Sequence, residues 1–403
     1  MHLLKQLAVS LLLPAFVGVA TGACVAGLVG GFERWGLHGL ATLPGMLPAL
    51  FIIPGLLLTG LIRRYLVRVS EPRTSELYIS LVHQPGSRLP IEQVPGRVLA
   101  TTATVGLGGA QGFESTSALI GATWGNVPGR WLSPDARQSL LAAGASAGIA
   151  AVFSSPAAGA LYGIEVPFKN RIDGAKLVPC VVAAVASFTT RVALIGEDRI
   201  VNVTGMPTLD GLFVIGMLLT AIGCGLGARL FAVVERGLQS AGRRHGMLTR
   251  SLAGGALIAA VAWAGFSLTG RWITFGSGYT ATSWLESAPH SVGTLLLALA
   301  IRAGANLLTV YGGGGGGVFT SLAANGAFVG AIVGTALGVD SVHTLALFGA
   351  ACFLGAGYRI PLACMLFIAE ALLGPMAIGL GMIAVAISFA MMGDETVSEA
   401  QRD

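Results

Sequence analysis

Apolar residues in this chain run in long blocks rather than alternating with polar ones: Leu7–Phe32, Leu43–Ile62, Leu212–Val234, Leu252–Leu268, Val292–Ile301, Leu345–Gly355 and Leu362–Met391. A helix that crosses a bilayer takes about 20 apolar residues. Several blocks reach that length, and others are shorter or broken by glycine. The mixture predicts an all-α polytopic membrane protein with many tilted and broken helices, the kind transporters use to build sites at mid-membrane. The first block is preceded by only one basic residue, Lys5, and no small-residue cleavage pattern closes it. It therefore reads as a retained helix rather than a signal peptide.

Composition moves most of the surface out of water. Hydrophobic residues make up 54% of the chain and charged residues 11%, whereas soluble domains carry about 25% charged residues. The formal charge of +5 is no nucleic-acid signature, because the basic residues gather in short loops: Arg63, Arg64, Arg68 and Arg73, then Lys169, Arg171 and Lys176, then Arg236, Arg243, Arg244 and Arg250. The stretch holding Glu197, Asp198 and Asp210 is more acidic. The positive-inside rule puts the basic loops in the cytoplasm and the 197–210 loop outside, with spans near 177–195 and 212–234 between them. Cys24, Cys180, Cys224, Cys352 and Cys364 sit in apolar stretches without ligand spacing. They are expected to be small buried hydrophobes, with neither disulfide nor metal site.

The two halves of the chain repeat each other at an offset of 205 residues, the interval from Glu114 to Phe319. Gly112-Phe-Glu-Ser-Thr precedes Gly121-Ala122 and Gly125; Gly317-Val-Phe-Thr-Ser precedes Gly326-Ala327 and Gly330. The register continues through Gly144-Ala145 and Gly349-Ala350, Pro156 and Pro361, Leu161 and Leu366, Glu165 and Glu370. Proline and glutamate are scarce here, so their recurrence at one spacing carries the most weight. The expected organisation is a first membrane repeat over 1–205 and a second over 206–403, forming one unit. An odd number of spans per half would invert one against the other.

Gly106-Leu-Gly-Gly-Ala-Gln-Gly-Phe-Glu114 leads into Ser115-Thr116-Ser117 and an apolar helical run, and Gly312–Gly317, Val318, Phe319 leads into Thr320-Ser321. Each is a helix start whose unpaired N–H groups and dipole attract anions. Two such starts meeting at mid-membrane would hold an anion without a fixed cation gripping it too tightly for rapid passage. A carboxylate at such a place, Glu114, is costly and a functional candidate. Ionised, it occupies the anion's position; protonated, it leaves. Dinucleotide binding is excluded, since Gln111 stands where the third glycine belongs and no βαβ pattern surrounds it. Glu165 and Glu370 read as structural or dimer-surface residues, Arg302 and Arg359 as structural, and the glycines of 223–227 and 379–381 as helix-packing points. His2, His38, His83, His245, His290 and His343 are scattered, which argues against a membrane-embedded enzyme.

These motifs resemble those of the CLC family of chloride channels and proton-coupled anion exchangers, over about residues 60–393. Glu114 in Gly-Phe-Glu-Ser-Thr is similar to the gating glutamate of the family's Gly-Arg/Lys-Glu-Gly-Pro. Gly316-Gly317-Val318-Phe319 resembles Gly-Gly-x-Phe-x-Pro, and Arg359-Ile-Pro361-Leu with Glu370 resembles a late Arg-x-Pro-Leu…Glu helix. The resemblance implies a CLC-type inverted repeat and a homodimer with one pore per subunit. It implies anion binding by Gly112, Phe113, Ser115, Gly317, Val318 and Phe319, with the amides of Val318 and Phe319 as donors. It also implies inner anion-site positions at Pro72, where the family's chloride-coordinating serine stands, and at Ser398, where its pore tyrosine stands. Proline at the first goes with nitrate preference in the family and methionine with fluoride. The family's inner proton-transfer glutamate aligns with Val166, and no cytoplasmic regulatory domain is expected. The reading is an anion channel or loosely coupled anion/proton exchanger of the cell membrane (plasma or inner). It passes chloride or a similar small anion, with protons acting at the gate, no cofactor, and no nucleic-acid partner. A proton-coupled fluoride or nitrate exporter on the same fold is the alternative, and an embedded enzyme or scaffold a third.

Overall fold

Apolar runs become helices in a bilayer because backbone N–H and C=O groups have no water to bond and must satisfy each other within the segment. A computed structural model describes residues 7–68, 73–84, 89–196, 201, 210–372 and 375–403. Pro72, most of the 197–210 loop and the segments between these ranges lie outside them. Among the described residues the regular structure is helical, with two isolated β-bridges, Gly112 to Gly317 and Phe168 to Arg402.

Seven helical stretches among the described residues are long and apolar enough to cross a membrane: Ser10–Ala41, Leu47–Val67, Gly174–Ile195, Gly211–Arg243, Met247–Thr269, Val292–Tyr311 and Phe319–Leu337. Shorter apolar helices cover Val342–Gly357, Pro361–Ala371 and Gly379–Met392. This is the predicted mixture of long and broken helices. The apolar block at the N-terminal end is one helical stretch that turns π-helical at Val29–Gly36.

The repeated glycines are where helices press together. Glu114–Gly129 crosses Pro134–Phe153, and a Cβ added to Gly121 would stand 1.8 Å from the Gly144 carbonyl oxygen, with the converse at 1.9 Å. Phe319–Leu337 crosses Val342–Gly357 through Gly326 and Gly349, where both distances are 2.1 Å. Backbones this close gain dispersion contacts that bulkier residues would forbid, which is how helices associate where lipid supplies no hydrophobic drive.

Two expectations need correction. Among the described residues no atom lies within 4 Å of where a Cβ on Gly379 would stand, and Gly379 is exposed, while Gly225 and Gly381 do press against Ser388 and Ile368. Cys24 is exposed, unlike the other four cysteines. A thiol is apolar enough to face lipid, so an apolar stretch alone does not decide burial.

Candidate functional site

The segment before each central helix start is glycine-rich, and the two segments run against each other. Gly112 donates to the Gly317 carbonyl at 2.9 Å and Gly317 to the Gly112 carbonyl at 3.0 Å. The contacts around this pair come in exchanged sets. Gly315 N–H donates to Thr104 Oγ1 at 3.0 Å, and Ala110 N–H to Thr309 Oγ1 at 3.2 Å. Thr101 Oγ1 donates to the Gly315 carbonyl at 2.7 Å, and Asn306 Nδ2 to the Ala110 carbonyl at 2.7 Å. In each set the residues are those related by the 205-residue offset. The adjoining Gly316 N–H donates to Gln111 Oε1 at 2.9 Å.

The helices that follow begin at Glu114 and Phe319. Their caps, Phe113 and Val318, have apolar side chains and give no side-chain hydrogen bond. The N–H groups of the two opening turns are therefore left to whatever else reaches them. Glu114 does. Its Oε1 accepts from the Thr320 amide at 3.2 Å and from the Thr320 hydroxyl, while Oε2 is buried without a partner. The carboxylate folds back over Gly112 and against Gly317, where any Cβ would collide with it. Glu114 is 1% exposed. The acid of one half thus sits on the helix start of the other.

The other expected residues distribute as follows. Gly112, Phe113, Gly317, Val318 and Phe319 form the junction, and Ser115 is buried beside Gly317. Phe319 packs among the rings of Phe153, Tyr162 and Tyr358 at 4.9, 5.4 and 5.0 Å. Ser398 lies in a non-helical tail, lining a narrow cavity with Arg73, Gln111, Glu235, Gly316, Val318 and Tyr358. It stands on the Val318 side of the junction but has no part in holding Glu114. Val166 is fully buried and its carbonyl accepts from Gln401.

Several polar residues have roles at the site that the sequence does not assign. Thr320 supplies both donors to Glu114. Arg73 bonds Glu235 at 2.9 Å and Glu76 at 3.1 Å on the Ser398 side, and Tyr358 lines the same cavity, one residue before a motif arginine. A full positive charge also stands nearer than expected. Arg302 is wholly buried, reaches Ser321 Oγ at 3.2 Å, and donates to the carbonyls of Thr274 and Gly276 at 2.6 and 2.8 Å. A charged residue inside an apolar helix was the available signal for Arg302 and Glu235; Thr320 was marked as part of a helix start, but not as the partner of Glu114.

Glu165 and Glu370 are away from this junction. Glu165 accepts from the amides of Leu362 and Ala363, both at 2.8 Å. Glu370 accepts from Ala157 at 2.7 Å, Ala158 at 3.4 Å and the Ser155 hydroxyl. Each carboxylate caps the proline-led helix that carries the other.

Residues 54–393 match the sequence profile of the voltage-gated chloride channel family. A ClcB-like chloride channel protein of Ralstonia nicotianae is 29% identical over 83% of this chain and 80% of its own. An H(+)/Cl(-) exchange transporter of Yersinia pestis is 27% identical over 69% of this chain and 60% of its own. A chloride/fluoride channel protein of Pseudomonas syringae pv. tomato is 31% identical over 47% of this chain and 43% of its own. Among solved structures, a CLC-type fluoride/proton antiporter superposes with a TM-score of 0.83 at 21% identity over 99% of both chains. A slow cyanobacterial Cl-/H+ antiporter gives 0.81 at 20% identity over 95% and 94%.

Proposed function

The chain belongs to the voltage-gated chloride channel family, whose profile it matches across residues 54–393, and on that footing we propose that Glu114 is the gate of its anion pathway. The protein is a CLC-type anion channel or exchanger embedded in a membrane. The observation that carries the gate is the position of the Glu114 carboxylate on the Thr320 amide and hydroxyl. A negative group bound there occupies donors that a small anion would use, so ion and carboxylate compete for one place. Protonation cancels the charge that holds the side chain, and the place becomes open. The amides of Val318 and Phe319, beside the glycines at 112 and 317, then belong to the anion's surroundings, with Phe113 and Ser115 closing the site. Ser398 belongs to its inner approach, a role that resemblance to the family alone gives to Pro72, outside the described residues.

The rest of the reading follows from the same arrangement. The halves 1–205 and 206–403 act as one pore unit, inverted against each other, and the exchanged hydrogen bonds at the junction support that division. Two subunits, each with its own pore, form a homodimer in the plasma or inner membrane. Chloride is the favoured ion because the Ralstonia and Yersinia relatives carry chloride in their names. Val166 in place of an inner acid favours a channel or loose coupling over strict exchange. Proton-coupled export of fluoride or nitrate is the second reading: the Pseudomonas relative has fluoride in its name, and Pro72 goes with nitrate preference in the family. The chain's chemistry is transport rather than catalysis.

The test is anion efflux from liposomes containing the purified protein. Glu114→Gln and Glu114→Ala should raise flux at neutral pH and flatten its pH dependence. Flux matching the unmodified protein from acidic to mildly alkaline pH would remove Glu114 from the gate.

A further inference from the structure

A second carboxylate lies close to the gate and has no part in the scheme above. Glu33 sits in the π-helical stretch Val29–Gly36, a geometry that is rare and concentrated at functional sites. It lines a cavity of about 810 Å³ together with Arg34, His38, Arg271, Tyr279 and Glu286. The positive-inside orientation puts this cavity on the outer side of the membrane. The Glu33 residue is half-buried. Its Oε1 accepts from the Ser277 amide at 3.2 Å and from the Ser277 hydroxyl. Its Oε2 is shut away from solvent with no partner. A bare carboxylate oxygen is costly to bury, and an acid within a membrane span marks function more often than packing.

A polar track leads inward from Glu33. The Ser277 carbonyl accepts from Ser321 Oγ at 3.4 Å, and Ser321 follows Thr320, the residue that holds Glu114. Arg302 flanks the track, bonded to Ser321 and to the Gly276 carbonyl. The charged and titratable groups facing Glu33 are Arg34 on its own helix, Arg302 on Val292–Tyr311, Glu114 on Glu114–Gly129 and Tyr279 on the short helix after Ser277. His38, Arg271 and Glu286 stand around the cavity. Ser277, Ser321 and the adjacent Thr320 thus connect Glu33 to Glu114, with Arg302 bonded alongside.

We propose that Glu33 is a second titratable site beside the gate, open to the outer cavity, whose charge sets the pH at which Glu114 opens the pathway. This rests on reading Glu114 as the gate. An ionised Glu33 makes a second negative charge nearby less favourable, so it favours the neutral, open form of Glu114. Loss of the Glu33 charge lets Glu114 stay ionised, and the pathway stay closed, down to lower pH.

The experiment is anion efflux from liposomes with pH varied on one side of the membrane at a time. Glu33→Gln should move the midpoint of acid activation to lower pH by roughly half a unit or more, from the cavity side only. Glu33→Asp should stay near the unmodified profile. Glu33→Gln added to Glu114→Ala should behave as Glu114→Ala alone. Should Glu33→Gln not assemble, Ser277→Ala removes a donor to the ionised Glu33 and should shift the midpoint the same way by less. An unmoved midpoint, or an effect of Glu33→Gln that persists without the Glu114 carboxylate, overturns the proposal and leaves the gate intact. A pH profile unaffected by Glu114→Ala overturns the gate, and this proposal with it.

Discussion

Thr320 decides how firmly Glu114 is held, since it gives the carboxylate both an amide and a hydroxyl. Hydrogen bonds to charged groups contribute about 1.5–3 kcal/mol. Thr320→Val keeps the shape and the amide but deletes the hydroxyl, so it should loosen the closed gate. Efflux from liposomes at neutral pH should rise, by less than in Glu114→Ala. A fall in efflux would mean that the hydroxyl serves the passing anion instead. Glu114 was legible in the sequence because an acid in a run of glycines before an apolar helix has few other uses. Thr320 was not, because its partner lies 206 residues away in the chain and threonines at helix starts are common. Glu33 was not legible either, because its partner Ser277 lies 244 residues away in the chain.

Among elements, the helices Pro156–Glu165 and Pro361–Leu372 depend on one another's carboxylates rather than on their own N-terminal residues. Proline at the first helical position removes one free donor, and the glutamate from the opposite helix takes the next two. Glu165→Ala should therefore lower the thermal stability of the detergent-solubilised protein, at a cost of about 1–3 kcal/mol for donors left buried and unpaired. Glu165→Gln keeps an acceptor and should change neither flux nor its pH dependence appreciably. A clear loss of proton-linked flux in Glu165→Gln, with stability retained, would make this residue part of a proton route. The apolar blocks located the long helices, and the glycine repeat marked Gly121, Gly144, Gly326 and Gly349. It could not say which glycines meet a neighbour. Gly379 sits in a pattern like that of Gly225 yet faces open space, because contact depends on which face the neighbouring helix approaches.

For the whole molecule, the question is whether anion and proton movements are tied together. The family resemblance puts the inner proton-transfer acid at Val166, a fully buried side chain that cannot titrate. An anion gradient imposed on liposomes should therefore drive little uphill proton movement, measured with a pH dye, while acid still accelerates efflux. Uphill proton pumping that Glu114→Ala abolishes would make the protein an exchanger and leave the gate in place. The family and the helical architecture were legible because scarce residues recur in one register. Which side chains of one half would fall on the helix starts of the other was not, since that depends on how the halves turn toward each other. The crossed caps of Glu165 and Glu370 carry a further implication. Glu165 takes the amides of 362 and 363, and Glu370 takes those of 157 and 158, so the two contacts are copies with the partners exchanged. That is the signature of an isologous interface. Two identical half-length chains could make both contacts at once, so the bond between the two helices has the form of a dimer contact drawn into one chain.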